Sequence, residues 1–237
     1  MLNKINSLKL ALKELLKEED IITSPVEIAP YLKEKRGNFN STTTLVVTPN
    51  NAEEVSKILH HCNSLKIGVV PLSGNTGLVG GGVANSNQII ISLKKLNKVR
   101  DIDTTNQTVT LEAGVPLESA IELCQKHNLL LPLDLPSRKD ALIGGNLATN
   151  AGGLTTIKYG QVKNFTLGVE VILANGHIVS DLNKLTKRNI GPDYKNLFIG
   201  SEGALGIITA ATFKLQPIPI QSINILLSTT SINCLVK

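Results

Sequence analysis

Residues 44–82 read TLVVTPNNAEEVSKILHHCNSLKIGVVPLSGNTGLVGGG, and the order of apolar runs and chain breakers in this stretch decides the fold. Residues 44–47 form an apolar strand, Pro49-Asn50-Asn51 a turn, and residues 52–64 a helix that gathers Val55, Ile58, Leu59 and Cys62 on one face. Gly68–Leu72 is a second strand. Strand, helix and strand within about 30 residues make a βαβ unit, whose crossover requires parallel pairing. A glycine-rich turn at residues 73–82 closes the unit.

Downstream the pattern changes. Strands are expected at 88–92 and 108–112, a helix at 117–127, and a long loop over 131–145 that leads into a second glycine-rich segment ending at Gly153. Two apolar runs, 167–173 and 178–180, flank Ala174-Asn175-Gly176-His177 and read as a hairpin. Residues 207–215 are a last strong strand. Upstream, Leu8, Leu12, Leu15 and Leu16 recur at helical spacing toward Asp20, and Ser24-Pro25 and Ala29-Pro30 break the chain. The expected fold class is α+β, with two subdomains: a small parallel βαβ part, then a mainly antiparallel sheet with helices. The expected divisions are an N-terminal helical segment at 1–37, a main domain at 38–219 and the start of another at 220–237, where 221–228 reads as a strand and 231–237 as a helix start.

The 237 residues are 42% hydrophobic, enough for a packed core, but only 3% aromatic, which argues against a base-stacking surface. The net charge of +5 is scattered along the chain; it suits an anionic ligand and not nucleic acid. Cys62, Cys124 and Cys234 have no CxxC spacing, and no secretory leader is evident. Apolar runs such as 88–93 are too short to cross a bilayer. A soluble, cytoplasmic protein with no transmembrane segment is expected.

The two glycine-rich segments carry the chemistry. Glycines let successive N–H groups converge on an anion at close range, although such clusters also occur as ordinary turns. A P-loop is excluded because GxxxxGK[ST] is absent, and a Rossmann domain because no GxGxxG follows the first strand.

Three strings together are recognisable: residues 71–81 (PLSGNTGLVGG), residues 131–135 (LPLDL) with 143–154 (IGGNLATNAGGL) and Tyr159-Gly160, and residues 198–209 (FIGSEGALGIIT). In this order they resemble the signatures of the FAD-linked oxidase family, of vanillyl-alcohol-oxidase or PCMH type. Within it they look most like D-2-hydroxyglutarate dehydrogenases, with glycolate oxidase flavin subunits and D-lactate dehydrogenases nearby. The resemblance implies that the backbone of Ser73, Gly74, Asn75, Thr76 and Gly77, with Gly81 and Gly82, holds the FAD diphosphate. It implies that Leu133, Asp134, Gly144, Gly145, Asn146, Thr149, Asn150 and Gly152 line the flavin and ribityl chain, and that Glu202, Gly206 and Ile207 lie toward the adenine and ribose. Neither loop carries the His or Cys that tethers flavin in some members, so FAD is expected to be non-covalent.

The resemblance also implies an oxidoreductase in which hydride passes from C2 of a small 2-hydroxy acid to FAD N5. A cap domain, carried by a separate chain or lost, would supply substrate contacts; no catalytic or metal-binding residue is assigned. An inactive FAD-binding remnant stays open as an alternative, as does a flavin reductase of the enolpyruvyl-glucosamine type. Departures from the family pattern fall at Ser73, at residues 136–140 and at Ile190-Gly191-Pro192.

Other residues read plainly. His60, His61 and His177 suit exposed surface, His127 a helix C-terminus, Cys62 and Cys124 buried thiols, and Lys94-Lys95 with Lys98-Arg100 a solvated strand end.

Overall fold

The computed structural model describes residues 2–221, 223, 225–226, 228–229 and 231–235. The chain runs α1 (Leu2–Leu15), a 3-10 turn (Glu18–Asp20), β1 (Ile21–Ile22), α2 (Pro25–Leu32), β2 (Val46–Val47), α3 (Ala52–Leu65), β3 (Gly68–Leu72) and β4 (Gln88–Ser92). It continues through β5 (Val99–Asp103), β6 (Thr108–Glu112), α4 (Leu117–Lys126), β7 (Leu129–Leu130), α5 (Ile143–Ala148), α6 (Thr156–Tyr159) and α7 (Val162–Phe165). Then come β8 (Thr166–Ile172), β9 (Ile178–Asp181), α8 (Lys195–Phe198), β10 (Ile207–Lys214), β11 (Gln216–Pro217) and α9 (Ile232–Leu235).

The first sheet has the order β1-β2-β4-β3. The β2-α3-β3 unit is present, but its two strands are not neighbours. β4 inserts between them and pairs in parallel with both, Ile90 facing Val46 on one side and Val70 on the other. Ile89, Ile90 and Ile91 are fully buried, the continuous apolar run of a central parallel strand. α3 is capped by the Asn51 side chain, which accepts from the Glu54 N–H, and is ended by Lys66 in the left-handed conformation (φ 56°). Its buried face shares one cluster with Leu8, Leu12 and Leu16. The segment at 1–37 is thus built into this layer, with α1 on α3 and β1 paired to β2. Pro25 starts α2 at a position where no N–H is needed, and Pro30 sits inside that helix, so the two prolines bound and occupy a helix where a break was expected.

Asp20 fastens the N-terminal segment to the sheet. It is fully buried and accepts from Thr48 Oγ1 (2.9 Å) and Asn50 Nδ2 (2.9 Å), with Lys95 Nζ as its ion-pair partner. Burial alone would push its carboxyl up; the bonds from Lys95, Asn50 and Thr48 outweigh burial and hold it below its ordinary value. The folded pKa therefore lies below the unfolded one. The stabilisation is present above the unfolded pKa and is lost as pH falls through the folded one. Asp20→Asn is expected to cost about 2–3 kcal/mol at neutral pH, read from urea midpoints, with the gap to wild type closing in acid. A gap that stayed constant on acidification would refute this role.

The second sheet has the order β5-β6-β10-β8-β9, antiparallel throughout. One face presents Val109, Leu111, Val169, Val171, Ala211 and Phe213 to a core completed by α4 and by Ile143 and Leu147 of α5. The hairpin at 166–181 turns through Gly176 at φ 87°. Helices plus one largely parallel and one antiparallel sheet give the expected α+β class. Several elements were not expected, among them α2, β5, whose sequence is mostly polar, and α5, which lies where a glycine-containing loop was read. Residues 221, 223, 225, 226 and 228 are irregular, not strand; Ser222, Asn224 and Leu227 lie outside the described residues, as do Val236 and Lys237. Burial pushes the thiols of Cys62 and Cys124 up to about 12, so both are inert packing groups. His60 and His177 are exposed, and His127 caps α4.

Candidate functional site

The glycine-rich turn leaves the end of β3 and faces α5 across a cavity of about 450 Å³, within the range of about 300–1,000 Å³ usual for cofactor pockets. The two walls are joined directly. Ser73 Oγ accepts from the Gly145 N–H (3.0 Å), and a Cβ on Gly74 would fall 2.0 Å from the Asp140 carbonyl oxygen. Ser73, a departure from the family pattern, is therefore a bracket between the two glycine segments. α5 forms despite its glycines because protein groups take its first donors: Ile143 N–H to Val115 O (3.0 Å) and Gly144 N–H to Ala113 O (2.8 Å). Gly144 is needed for that approach, since its Cβ would lie 2.7 Å from Ala113 Cβ.

Among the described residues, the backbone N–H groups from Gly74 to Gly82 have no protein acceptor. Such a row of free donors along one cavity wall, half-buried at Gly74, Asn75, Thr76, Gly80 and Gly82 and exposed at Gly77, Leu78, Val79 and Gly81, is what an anion needs. A second orphan lies opposite. Asn146 is 5% exposed, lines the cavity, and its Nδ2 has no partner. Donors left unsatisfied on both walls fit a polar, anionic ligand of dinucleotide type. Glu202, held at φ 51° by its N–H bond to Ala148 O (2.9 Å), sets its carboxylate against Gly81, placed to accept from hydroxyls.

Ser73, Gly74, Asn75, Thr76, Gly77, Gly81, Gly82, Gly144, Gly145, Asn146, Thr149, Glu202, Gly206 and Ile207 all line this cavity. Four other residues assigned by resemblance do not. Leu133 is buried in the second core. Asp134 lines a neighbouring depression of about 290 Å³ with Pro136, Arg138, Lys139 and Leu154, joined to the main cavity at Leu135. Asn150 (φ 49°) donates to Gln161 Oε1 (2.8 Å), and Gly152 packs on Thr156. The cavity thus gathers the residues assigned to the diphosphate and adenosine end and only part of those assigned to the flavin end. Ile190, Gly191 and Pro192 are exposed and do not line it. Sequence reasoning missed Tyr31, Leu32, Lys33 and Glu34, which form a further wall; no motif marks them.

Residues 43–181 match the family model described as FAD binding domain. The D-2-hydroxyglutarate--pyruvate transhydrogenase DLD3 of Saccharomyces cerevisiae is 41% identical over 202 residues, 84% of this chain and 41% of the relative. The D-2-hydroxyglutarate dehydrogenase of Xanthomonas citri pv. viticola is 34% identical over 228 residues, 96% of this chain and 48% of the relative. The chain therefore spans less than half the length of these relatives. Among solved structures, an alkyldihydroxyacetonephosphate synthase superposes with a TM-score of 0.81 at 23% identity, covering 91% of this chain and 41% of that one. A p-cresol methylhydroxylase does so with a TM-score of 0.78 at 23% identity, covering 93% and 45%; at these identities the likeness establishes the fold. With the family match spanning more than half of its residues, the chain belongs to the FAD-binding domain family of PCMH type.

Proposed function

We propose that this chain is the flavin-holding part of a D-2-hydroxy-acid dehydrogenase, with FAD bound non-covalently between the glycine turn and α5. The row of free N–H groups from Gly74 to Gly82 carries this reading, since it offers a diphosphate many donors without a lysine in the loop. Asn146 Nδ2 would donate to the bound group and Glu202 would accept from the adenosine ribose. Leu72, Leu93, Leu142 and Ile208 exclude water along the apolar walls. When bound, FAD supplies a hydride acceptor for the C2 hydrogen of a 2-hydroxy acid. The names of the relatives point to D-2-hydroxyglutarate as the first substrate to test, with D-lactate and glycolate beside it. Substrate recognition and removal of the hydroxyl proton are assigned to a cap domain, in a cytoplasmic setting.

The test is spectroscopic. Purified protein reconstituted with FAD is expected to show a protein-bound flavin band that bleaches anaerobically with one of these acids, alone or with a cap-domain partner added. A bound flavin that none of them reduces in either condition would favour an inactive binding remnant; failure to bind FAD would overturn the reading altogether. Separately, among the described residues no Cys or His lines the cavity, so acid precipitation is expected to leave all flavin in the supernatant. Flavin in the washed pellet would refute non-covalent binding.

A further inference from the structure

Tyr31, Leu32, Lys33 and Glu34, the last turn of α2 and the residues after it, line the cavity but precede the stretch that matches the family model. On the reading that the cavity holds FAD, we propose that this turn is the wall facing the diphosphate and that Lys33 supplies its counter-charge.

Three observations support the assignment. First, the turn is fastened to the glycine loop: Asn75, itself left-handed at φ 51°, donates from Nδ2 to the Lys33 carbonyl at 2.8 Å. The two walls are thereby held in one arrangement, and one carbonyl at the helix end is satisfied. Second, among the described residues, Lys33 is the one cation of the charged residues that line the cavity, and its ammonium makes no hydrogen bond or ion pair. One of the two carboxylates is otherwise engaged. Glu34 accepts from the N–H groups of Arg36 (3.1 Å) and Asn38 (2.9 Å), and Glu202 lies against Gly81. Third, the electrostatics call for a cation at this place. Backbone donors carry only partial charges, whereas a diphosphate is dianionic. The last turn of α2 lines the cavity, and the carbonyl end of a helix by itself disfavours an anion. A full positive charge at the last turn reverses that bias, and at a half-open cavity it acts with less screening than in bulk water.

The experiment titrates FAD, and in parallel riboflavin, into flavin-free protein while flavin fluorescence is followed. Lys33→Ala is expected to weaken FAD binding about tenfold, the scale of one charge-assisted contact, with Lys33→Arg within about twofold of wild type on the same scale. Riboflavin has no phosphate, so its affinity should not change, and the salt dependence of FAD binding should become shallower in Lys33→Ala. Thermal melts of the free variants control for folding, which an exposed lysine should not affect. Gly77→Trp tests the cavity apart from Lys33: Gly77 lines the cavity, and a Cβ there meets no protein atom within 4 Å, so a side chain can start from this position without displacing the fold. FAD binding that survived Gly77→Trp unchanged would overturn the cavity reading itself. FAD binding that is lost in Gly77→Trp but unchanged in Lys33→Ala would overturn only the role of Lys33. An equal loss of FAD and riboflavin affinity in Lys33→Ala would also overturn it, since the effect would then not lie at the phosphates.

Discussion

Gly74→Ala is expected to lower folding stability by about 3 kcal/mol or more and to abolish saturable FAD binding, while Gly77→Ala, three residues along the same loop, changes stability by less than about 1 kcal/mol. The difference lies in what each Cβ would meet. At Gly74 it would stand 2.0 Å from the Asp140 carbonyl oxygen and 3.1 Å from Ala141 Cα, all backbone; at Gly77 it meets nothing within 4 Å. The backbone at 140–141 cannot withdraw, because it is fixed from both sides: Asp140 and Ala141 N–H donate to Ser137 O (3.0 and 2.8 Å), and Ala141 O accepts from Leu117 N–H (2.9 Å). Overpacking against rigid backbone belongs at the upper end of the usual range of about 1–3 kcal/mol. The loop must move instead, and with it Ser73, whose hydroxyl holds Gly145 across the cavity. Urea unfolding gives the stability change. The binding claim is read from the melting temperature with and without FAD, which should rise for wild type and Gly77→Ala and stay put for Gly74→Ala. A Gly74→Ala protein with wild-type stability would show that the contact between the turn and residues 140–141 is not rigid.

This pair also shows where sequence reading ends. The glycine strings are local, so the turn at 73–82 and the segment around α5 were legible, and with them most of the cavity lining. The reason each glycine is there was not. Gly74, Gly144 and Gly153 make room for backbone distant in sequence, Gly153 against the Asp134 carbonyl, whereas among the loop glycines at 73–82 a left-handed φ is confined to Gly80. The same boundary divides the fold. β3, β4, β6, α3 and α4 could be read from apolar periodicity, which is local. The insertion of β4 between β2 and β3 could not, because pairing order depends on how α3 packs. Tyr31 to Glu34 could not be read as a wall, because α2 reaches the cavity only through the tertiary arrangement that Asp20 helps to fix. Leu133 packs in the core although its neighbour Leu135 lines the cavity, and alternation along so short a run does not say which side the ligand takes.

β5 is the largest such case, and Arg100→Met is expected to cost about 3 kcal/mol at neutral pH. Read locally, Lys98 to Arg100 belongs to a charged, solvated strand end. In the sheet, β6 and β8 flank β10 so that Glu112 and Glu170 both lie opposite Ala210. Both carboxylates are nearly buried, at 6% and 8% exposure. Arg100 joins them: Nη1 and Nη2 fork onto Glu170 at 3.1 and 2.9 Å, and Nε donates to Glu112 Oε1 at 3.1 Å. Thr209 Oγ1 donates to Glu170 (2.9 Å) and the Lys98 N–H to Glu112 (3.0 Å). The fork is planar and bidentate, so Arg100→Lys should not restore it. Removing one partner of a buried network costs about 3–5 kcal/mol, since a charge is left without compensation; the partial exposure of Arg100 sets the expectation at the lower end. The pH dependence gives the sign. Burial pushes the Glu170 carboxyl up, but Arg100, then Thr209, holds it below its ordinary value. In wild type its contribution is therefore present above the unfolded pKa and lost as pH falls through the folded one. In Arg100→Met burial is opposed only by the hydroxyls, so the Glu170 pKa should rise above its unfolded value. The variant's deficit should then be largest at neutral pH and shrink on acidification. Arg100→Met combined with Glu170→Leu should recover at least half of the loss, because the stranded charge is gone. A single variant that lost less than about 1 kcal/mol, the scale of an exposed pair, would mean that solvent already screens the two carboxylates and that β5 is held by its backbone ladder instead.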